Sequence, residues 1–174
     1  MIAIVVGTNR LGSRTRAVAE YYKKLLEAYN NACRLVDLAE LPADFVFSAL
    51  YRNNGKNELF NIFSNQMDEA HKYVFVVPEY NGSFPGVLKA FIDGMSYPNG
   101  FIHKKCALVG ISDGVQGNAI GLSHLTDVFS YLGMNVLAQK VRIPFMKKNF
   151  VDGQISDSFI ESLIKEQAQL LINF

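Results

Sequence analysis

Three short segments hold most of the side chains able to do chemistry. The first, Gly7-Thr8-Asn9-Arg10-Leu11-Gly12-Ser13-Arg14-Thr15-Arg16, gathers three hydroxyls and three guanidiniums just ahead of a helical pattern. A helix N-terminus carries unsatisfied N–H groups and the positive end of the macrodipole, so this composition suits an anion, above all a phosphate ester. Each charge-assisted hydrogen bond to such a group contributes about 1.5–3 kcal/mol before dehydration is counted. Gly7 and Gly12 have the spacing of a nucleotide P-loop, but Ser13 and Arg14 stand where that loop needs Lys followed by Ser or Thr. A Gly-x-Gly-x-x-Gly turn is absent, and the segment has no Cys to act as a phosphatase nucleophile. A monophosphate-bearing ligand held by hydroxyls and backbone fits best; a solvated helix start capped by Ser or Thr is the plain alternative.

The second segment is Pro78-Glu79-Tyr80-Asn81-Gly82-Ser83-Phe84-Pro85-Gly86. Its prolines fix the chain while Gly82 and Gly86 let backbone approach a flat object. Tyr80 offers a ring, and Asn81 both a donor and an acceptor. The third, Ser112-Asp113-Gly114-Val115-Gln116-Gly117, is glycine-punctuated and opens a helix, so its N–H groups can meet negative charge on a ligand. Either alone reads as an ordinary turn. All three follow apolar runs, and in open α/β sheets ligands bind beyond the carboxyl ends of the strands.

Those runs are the elements that must position the segments. Ile2–Val6, Leu35–Leu38, Tyr73–Val77, Ala107–Ile111 and a run starting at Val136–Ala138 read as buried strands. Helical periodicity marks 17–29, 59–70, 86–95, 121–132 and 158–172. Pro85 suits the first turn of the third of these helices. Ser158 and Glu161 have capping-box spacing at the last. Strand and helix alternate five times, which calls for a parallel sheet covered by helices on both faces. Residues 1–174 read as one doubly wound domain, with Pro144–Ser156 its least regular part.

Composition narrows the function classes. Among 174 residues, 49% are hydrophobic and 19% charged, which excludes a disordered chain. Seventeen Lys and Arg balance sixteen Asp and Glu, so no basic excess marks a nucleic-acid binder, and Lys147-Lys148 is too short to change that. Cys33 and Cys106 sit in apolar segments without ligand spacing, and read as reduced thiols rather than a metal site. No apolar run approaches the ~20 residues of a membrane span, and the N-terminus lacks signal-peptide flanks, so the expected location is the cytoplasm.

These motifs together resemble the NADPH-dependent FMN reductase family, which includes quinone, azo-dye and chromate reductases. Its phosphate loop, G-S-x-R-x-x-S-x-N, is matched from Gly7 to Thr15, with Thr8 for Ser and Thr15 for Asn. Its P-E-Y-N-G-S-x-P-G-x-L-K-x-x-x-D signature is matched from Pro78 through Asp93. A loop similar to its S-x-S-x-G-x-x-G runs from Gly110 to Gly117, departing at Asp113, which adds a negative charge. The resemblance implies a flavodoxin-like three-layer α/β/α sandwich with a five-stranded parallel sheet in the order 2-1-3-4-5. It implies FMN, with Thr8, Arg10, Ser13 and Thr15 at the phosphate. Pro78, Glu79, Tyr80, Asn81, Gly82 and Ser83 would line the isoalloxazine, and Ser112, Gly114 and Gly117 the other wall.

The implied activity is hydride transfer from NADPH through FMN to a small-molecule acceptor: a quinone, an azo or nitro compound, or free flavin. The cofactor carries that chemistry, so no catalytic side chain is assigned. His71, His103 and His124 show no triad spacing and read as surface or helix-end residues. Two other readings are a flavodoxin-type electron carrier, disfavoured by the near-neutral charge, and a non-catalytic flavin-binding module. Arg14 and Arg16 are candidates for the 2′-phosphate that separates NADPH from NADH. Phe84, Phe91, Met95 and Tyr97 form an aromatic cluster, which with the resemblance suggests a homodimer or homotetramer.

Overall fold

The computed structural model describes residues 1–96 and 100–174. The central sheet is parallel, and its strands are β1 (Ile2–Val6), β2 (Cys33–Asp37), β3 (Lys72–Pro78), β4 (Lys105–Ile111), β5 (Asn135–Val136) and β6 (Val141–Ile143). The order is β2-β1-β3-β4-β5, with β6 also pairing to β4. That is the flavodoxin-like order, modified at one edge. The strand expected from Val136 stops there; the chain leaves the sheet and returns as β6, so two short strands share the fifth position.

Helices cover both faces. On one lie α3 (Glu58–Glu69), α4 (Gly86–Asp93) and α5 (Ala119–Tyr131); on the other lie α1 (Arg14–Ala28) and α7 (Ser158–Asn173). The strands are continuously apolar because both faces are packed: Ala3, Val5, Phe75 and Leu108 point into the first layer, Ile4, Val74, Val76 and Val109 into the second. The first layer is aromatic, with Phe75 and Phe129 ring centroids 4.5 Å apart and Phe60 against Phe91 at 6.0 Å.

Caps set the helix starts. Ser13, extended at φ −70° and ψ 147°, accepts a hydrogen bond from Arg16 N, so α1 opens at Arg14 instead of 17. Asn57 caps α3 through Phe60 N. The last helix is capped by Asp157, whose side chain accepts from Phe159 N and Ile160 N; Ser158 and Glu161 do not form the expected box. Pro85 occupies the N-cap position of α4, just before its first turn.

Structure also appears outside the expected elements, including the segment read as least regular. Before α3 lie the short helix α2 (Phe45–Ser48) and single 3-10 turns at Leu38–Glu40 and Tyr51–Asn53. Within 144–156, α6 (Met146–Asn149) leads into a hairpin of β7 (Phe150–Val151) and β8 (Gln154–Ile155). Its turn, Asp152-Gly153, has positive φ at both residues (49° and 75°), the twist that matches antiparallel strands. The Asp-Gly pair between Phe150-Val151 and Gln154-Ile155 was a readable hairpin signal.

Candidate active site

The carboxyl ends of β1, β3 and β4 converge on one rim, and backbone hydrogen bonds tie the loops together there. Gly7 N donates to Val76 O (2.9 Å), Glu79 N to Ile111 O (3.0 Å) and Ser112 N to Ile143 O (3.2 Å). The β4–α5 loop folds back so closely that a Cβ on Gly110 would come within 2.2 Å of Gly117 O. Gly117 itself has φ +57°, and a Cβ there would meet Arg142 Cβ at 2.9 Å. Both positions therefore require glycine.

Between these loops lies a cleft of about 510 Å³, within the range of small-molecule sites. One side is the 10–15 loop with the N-terminus of α1; another is Pro78–Tyr80; the third is Ile111–Asp113, with Met146 and Lys147 beside it. Of the residues expected to bind cofactor, Arg10, Ser13, Thr15, Pro78, Glu79, Tyr80 and Ser112 line this cleft. Thr8 is fully buried behind it, accepting from Arg10 N at 3.3 Å and sharing a 2.8 Å hydrogen bond with Tyr80 OH. Asn81, Gly82 and Ser83 form the tip of the second loop, outside the lining, where Tyr80 and Ser83 exchange backbone hydrogen bonds. Gly114 and Gly117 shape the third loop without lining the cleft; Ser112 Oγ accepts from Gly117 N and donates to Gly114 O, both at 3.0 Å.

The cleft carries three cations, Arg10, Arg14 and Lys147, against two carboxylates, Glu79 and Asp113. Arg14 and Asp113 form a 2.6 Å ion pair between α1 and the third loop, which gives the unexpected Asp113 a partner. Arg10 and Lys147 have no carboxylate partner among the described residues. Arg16, a candidate for a 2′-phosphate, is engaged elsewhere: it bonds Glu20 (3.1 Å) and the buried Asp37 (2.7 Å). The hydrogen bond to Glu20 and the charge of Asp37 hold its pKa above the ordinary guanidinium value.

Sequence reasoning passed over Lys147, Met146 and Asn118. Lys147 reaches the cleft because Phe145 N and Met146 N bond Gly114 O and Ser112 O, a return of the chain with no local sequence signal. Asn118, fully buried, donates its amide to Val77 O and Pro78 O at 3.1 Å each and so fixes the end of β3. Among the described residues, no group of three His, Cys, Asp or Glu side chains is placed to hold a metal. Both thiols are free; Cys106 is buried and Cys33 half-buried, and burial pushes both thiol pKa values up. No helix among them is long and apolar enough to cross a membrane.

The donor set fits a phosphate monoester on a flat polar ring. Hydroxyls of Ser13 and Thr15, two uncommitted cations and first-turn N–H groups lie at one end, backbone-edged loops at the other. The sequence profile of the NADPH-dependent FMN reductases matches residues 1–147. The chain belongs to that family. Among curated members, it is 35% identical over 141 residues to a 2-hydroxy-1,4-benzoquinone reductase of Burkholderia sp., covering 79% of this chain and 74% of the relative. It is 31% identical over 144 residues to an FMN-dependent NADPH-azoreductase of Staphylococcus saprophyticus, covering 78% and 73%. In fold it is similar to FerB, a flavoenzyme NAD(P)H:(acceptor) oxidoreductase of Paracoccus denitrificans, with a TM-score of 0.79, 20% identity, and coverage of 99% and 94%. As a member of this family the chain is an FMN-dependent NAD(P)H reductase, and the sheet order agrees with the expectation from its motifs.

Proposed function

We propose that the chain reduces small quinones or azo compounds, taking hydride from NADPH by way of FMN held in the cleft. The observation that carries this reading is the pairing of a cationic, hydroxyl-rich pocket end with two backbone-edged loops on one sheet rim. FMN, when bound, supplies the capacity to accept and release hydride. The protein's part is binding, orientation and exclusion of water. Arg10, Ser13, Thr15 and the first-turn N–H groups of α1 would hold the phosphate. Pro78–Tyr80 and the loop from Ser112 to Gly117 would flank the ring, their fixed backbone dipoles stabilising negative charge without reorganising. Tyr80 is held against Thr8 and the 81–83 tip by hydrogen bonds, so that wall is preorganised. Lys147 and the Arg14–Asp113 pair border the opening and are the charges a dinucleotide phosphate would meet first.

A homodimer or homotetramer is part of the proposal, but not on the aromatic cluster. Phe91 and Met95 belong to the core, Phe84 packs on it, and Tyr97 lies outside the described residues. What supports assembly is an apolar groove between α4 and α5, lined by Ile92, Val128 and Leu132 beside the exposed Tyr131. Light scattering giving a monomer mass at micromolar concentration would remove this part.

The test is an absorbance spectrum of the purified chain after incubation with FMN, followed by anaerobic NADPH and a panel of acceptors. The expected result is a yellow protein that bleaches with NADPH and recolours with quinone. A chain that takes up no FMN refutes the binding reading; one that binds and bleaches but recolours only with a redox protein refutes the acceptor reading.

A further inference from the structure

The three cleft loops are fastened to one another in a ring. The first joins the second where Thr8 Oγ1 and Tyr80 OH share a 2.8 Å hydrogen bond. The second joins the third through backbone, Glu79 N to Ile111 O at 3.0 Å. At the tip of the second loop, Ser83 Oγ lies 2.9 Å from His124 Nδ1, which fastens that tip to α5. The ring closes between the third loop and the first. There it rests on one contact among the described residues, the 2.6 Å ion pair of Asp113 and Arg14.

Both ends of that contact stand on fixed backbone. Arg14 is the first residue of α1, directly after the cap that Ser13 makes to Arg16 N. Asp113 sits between two braced residues. Ser112 N donates to Ile143 O, Ser112 Oγ bonds Gly114 O and Gly117 N, and Gly114 O accepts from Phe145 N. Both charged side chains line the cleft, from different walls, and they are 45% and 64% exposed. The other loop-to-loop ties are backbone or partly buried, so the exposed pair is the member of the ring that opens most easily.

We infer that the Arg14–Asp113 pair is a strap across the cleft that slows the departure of FMN and makes its exchange sensitive to salt. This deepens the proposed function and rests on FMN occupying the cleft. A ligand with its phosphate at the 10–15 loop and its ring beside the third loop meets both walls that the pair joins. It leaves more readily when those walls separate, and the closed pair holds them together. Asp113 is thus a positioning residue that acts through Arg14. Its charge alone would do the opposite, since a carboxylate in a phosphate-binding cleft repels the ligand and hastens its loss. The two roles predict changes of opposite sign.

The test measures the FMN dissociation rate by diluting loaded protein and following the rise of free-flavin fluorescence. Exposed ion pairs contribute little, so Asp113→Ala is expected to release FMN about two- to fivefold faster. Asp113→Glu, which keeps the charge on a longer stem, should stay closer to wild type than to Asp113→Ala. Arg14→Met also speeds release, and adding Asp113→Ala to it brings no further acceleration, because one shared contact is lost in either case. In 1 M salt, with a Debye length of about 3 Å, the wild-type rate approaches that of Asp113→Ala in the same buffer. An Asp113→Ala rate equal to or below wild type, or a further acceleration in the double variant, overturns the strap and leaves the FMN reading standing. Wild-type protein that takes up no FMN overturns that reading and the strap with it.

Discussion

Thr8→Val separates two roles for a residue that family resemblance places at the phosphate and geometry places behind it. The side chain is fully buried, and its hydroxyl bonds Tyr80 OH at 2.8 Å and Arg10 N at 3.3 Å. Valine keeps the shape and deletes both bonds. Tyr80 is 37% exposed, so its phenol recovers water, and the loss there is about 1 kcal/mol. The longer bond to Arg10 N adds a few tenths, giving a total of about 1–2 kcal/mol. For a domain of this size that lowers Tm by roughly 2–8 °C. Tyr80→Phe removes the same contact from the other side, so a double-mutant cycle is expected to show coupling of about 0.5–1.5 kcal/mol. FMN affinity, read from quenching of flavin fluorescence, should weaken several-fold and to a similar extent in both single variants. A hundredfold loss of affinity in Thr8→Val, with Tm unchanged and no coupling to Tyr80, would refute the pin and make Thr8 a direct ligand.

Three further outcomes follow from the packing. Gly110→Ala forces the Gly117 carbonyl away from β4; overpacking of this kind costs about 1–3 kcal/mol, and thermal melts with and without FMN should show both lower stability and weaker cofactor stabilisation. Arg16→Met strips the buried Asp37 of its cation while leaving the bond from Ala39 N; because Arg16 is 43% exposed the loss is expected near 1–2 kcal/mol, seen as a lower urea midpoint with unchanged slope. Burial raises the Cys33 pKa to about 11. At pH 8 its thiolate fraction is therefore about a hundredfold below that of an unshifted thiol, and iodoacetamide labelling should be slower by roughly ten- to a hundredfold. Labelling should then rise about tenfold per pH unit up to about 11; a rate at pH 8 equal to a model thiol would contradict this.

The parallel core was legible because its strands are short, continuously apolar and bounded by glycine or proline, a pattern that helices packed on both faces impose. The cleft loops were legible for the same reason: they lie where those runs end. What escaped was chiefly non-local. One local choice escaped as well: Asp157 and Ser158 have similar capping ability, and the backbone path decides for Asp157. Lys147 looked like an ordinary surface lysine because its approach depends on two backbone bonds between 112–114 and 145–146. His124 showed no partner at any sequence spacing, since Ser83 is brought to it by a crossover through β4. Asn118 carried no signal of its own, because its role depends on the carbonyls at the end of β3 opposite its amide.

The interrupted border beside β4 has a consequence for the chain's behaviour in a crowded solution. Where the chain detours between β5 and β6, the buried amide of Gln167 bonds Leu108 O at 3.0 Å and Gln139 O at 2.9 Å. A side chain from the C-terminal helix thus ties the detour to β4. The outermost ribbon is two residues, a detour, then three, too short and too offset to template a foreign strand. The irregular border thus guards itself against edge-to-edge association, with Gln167 bracing the detour from inside the molecule.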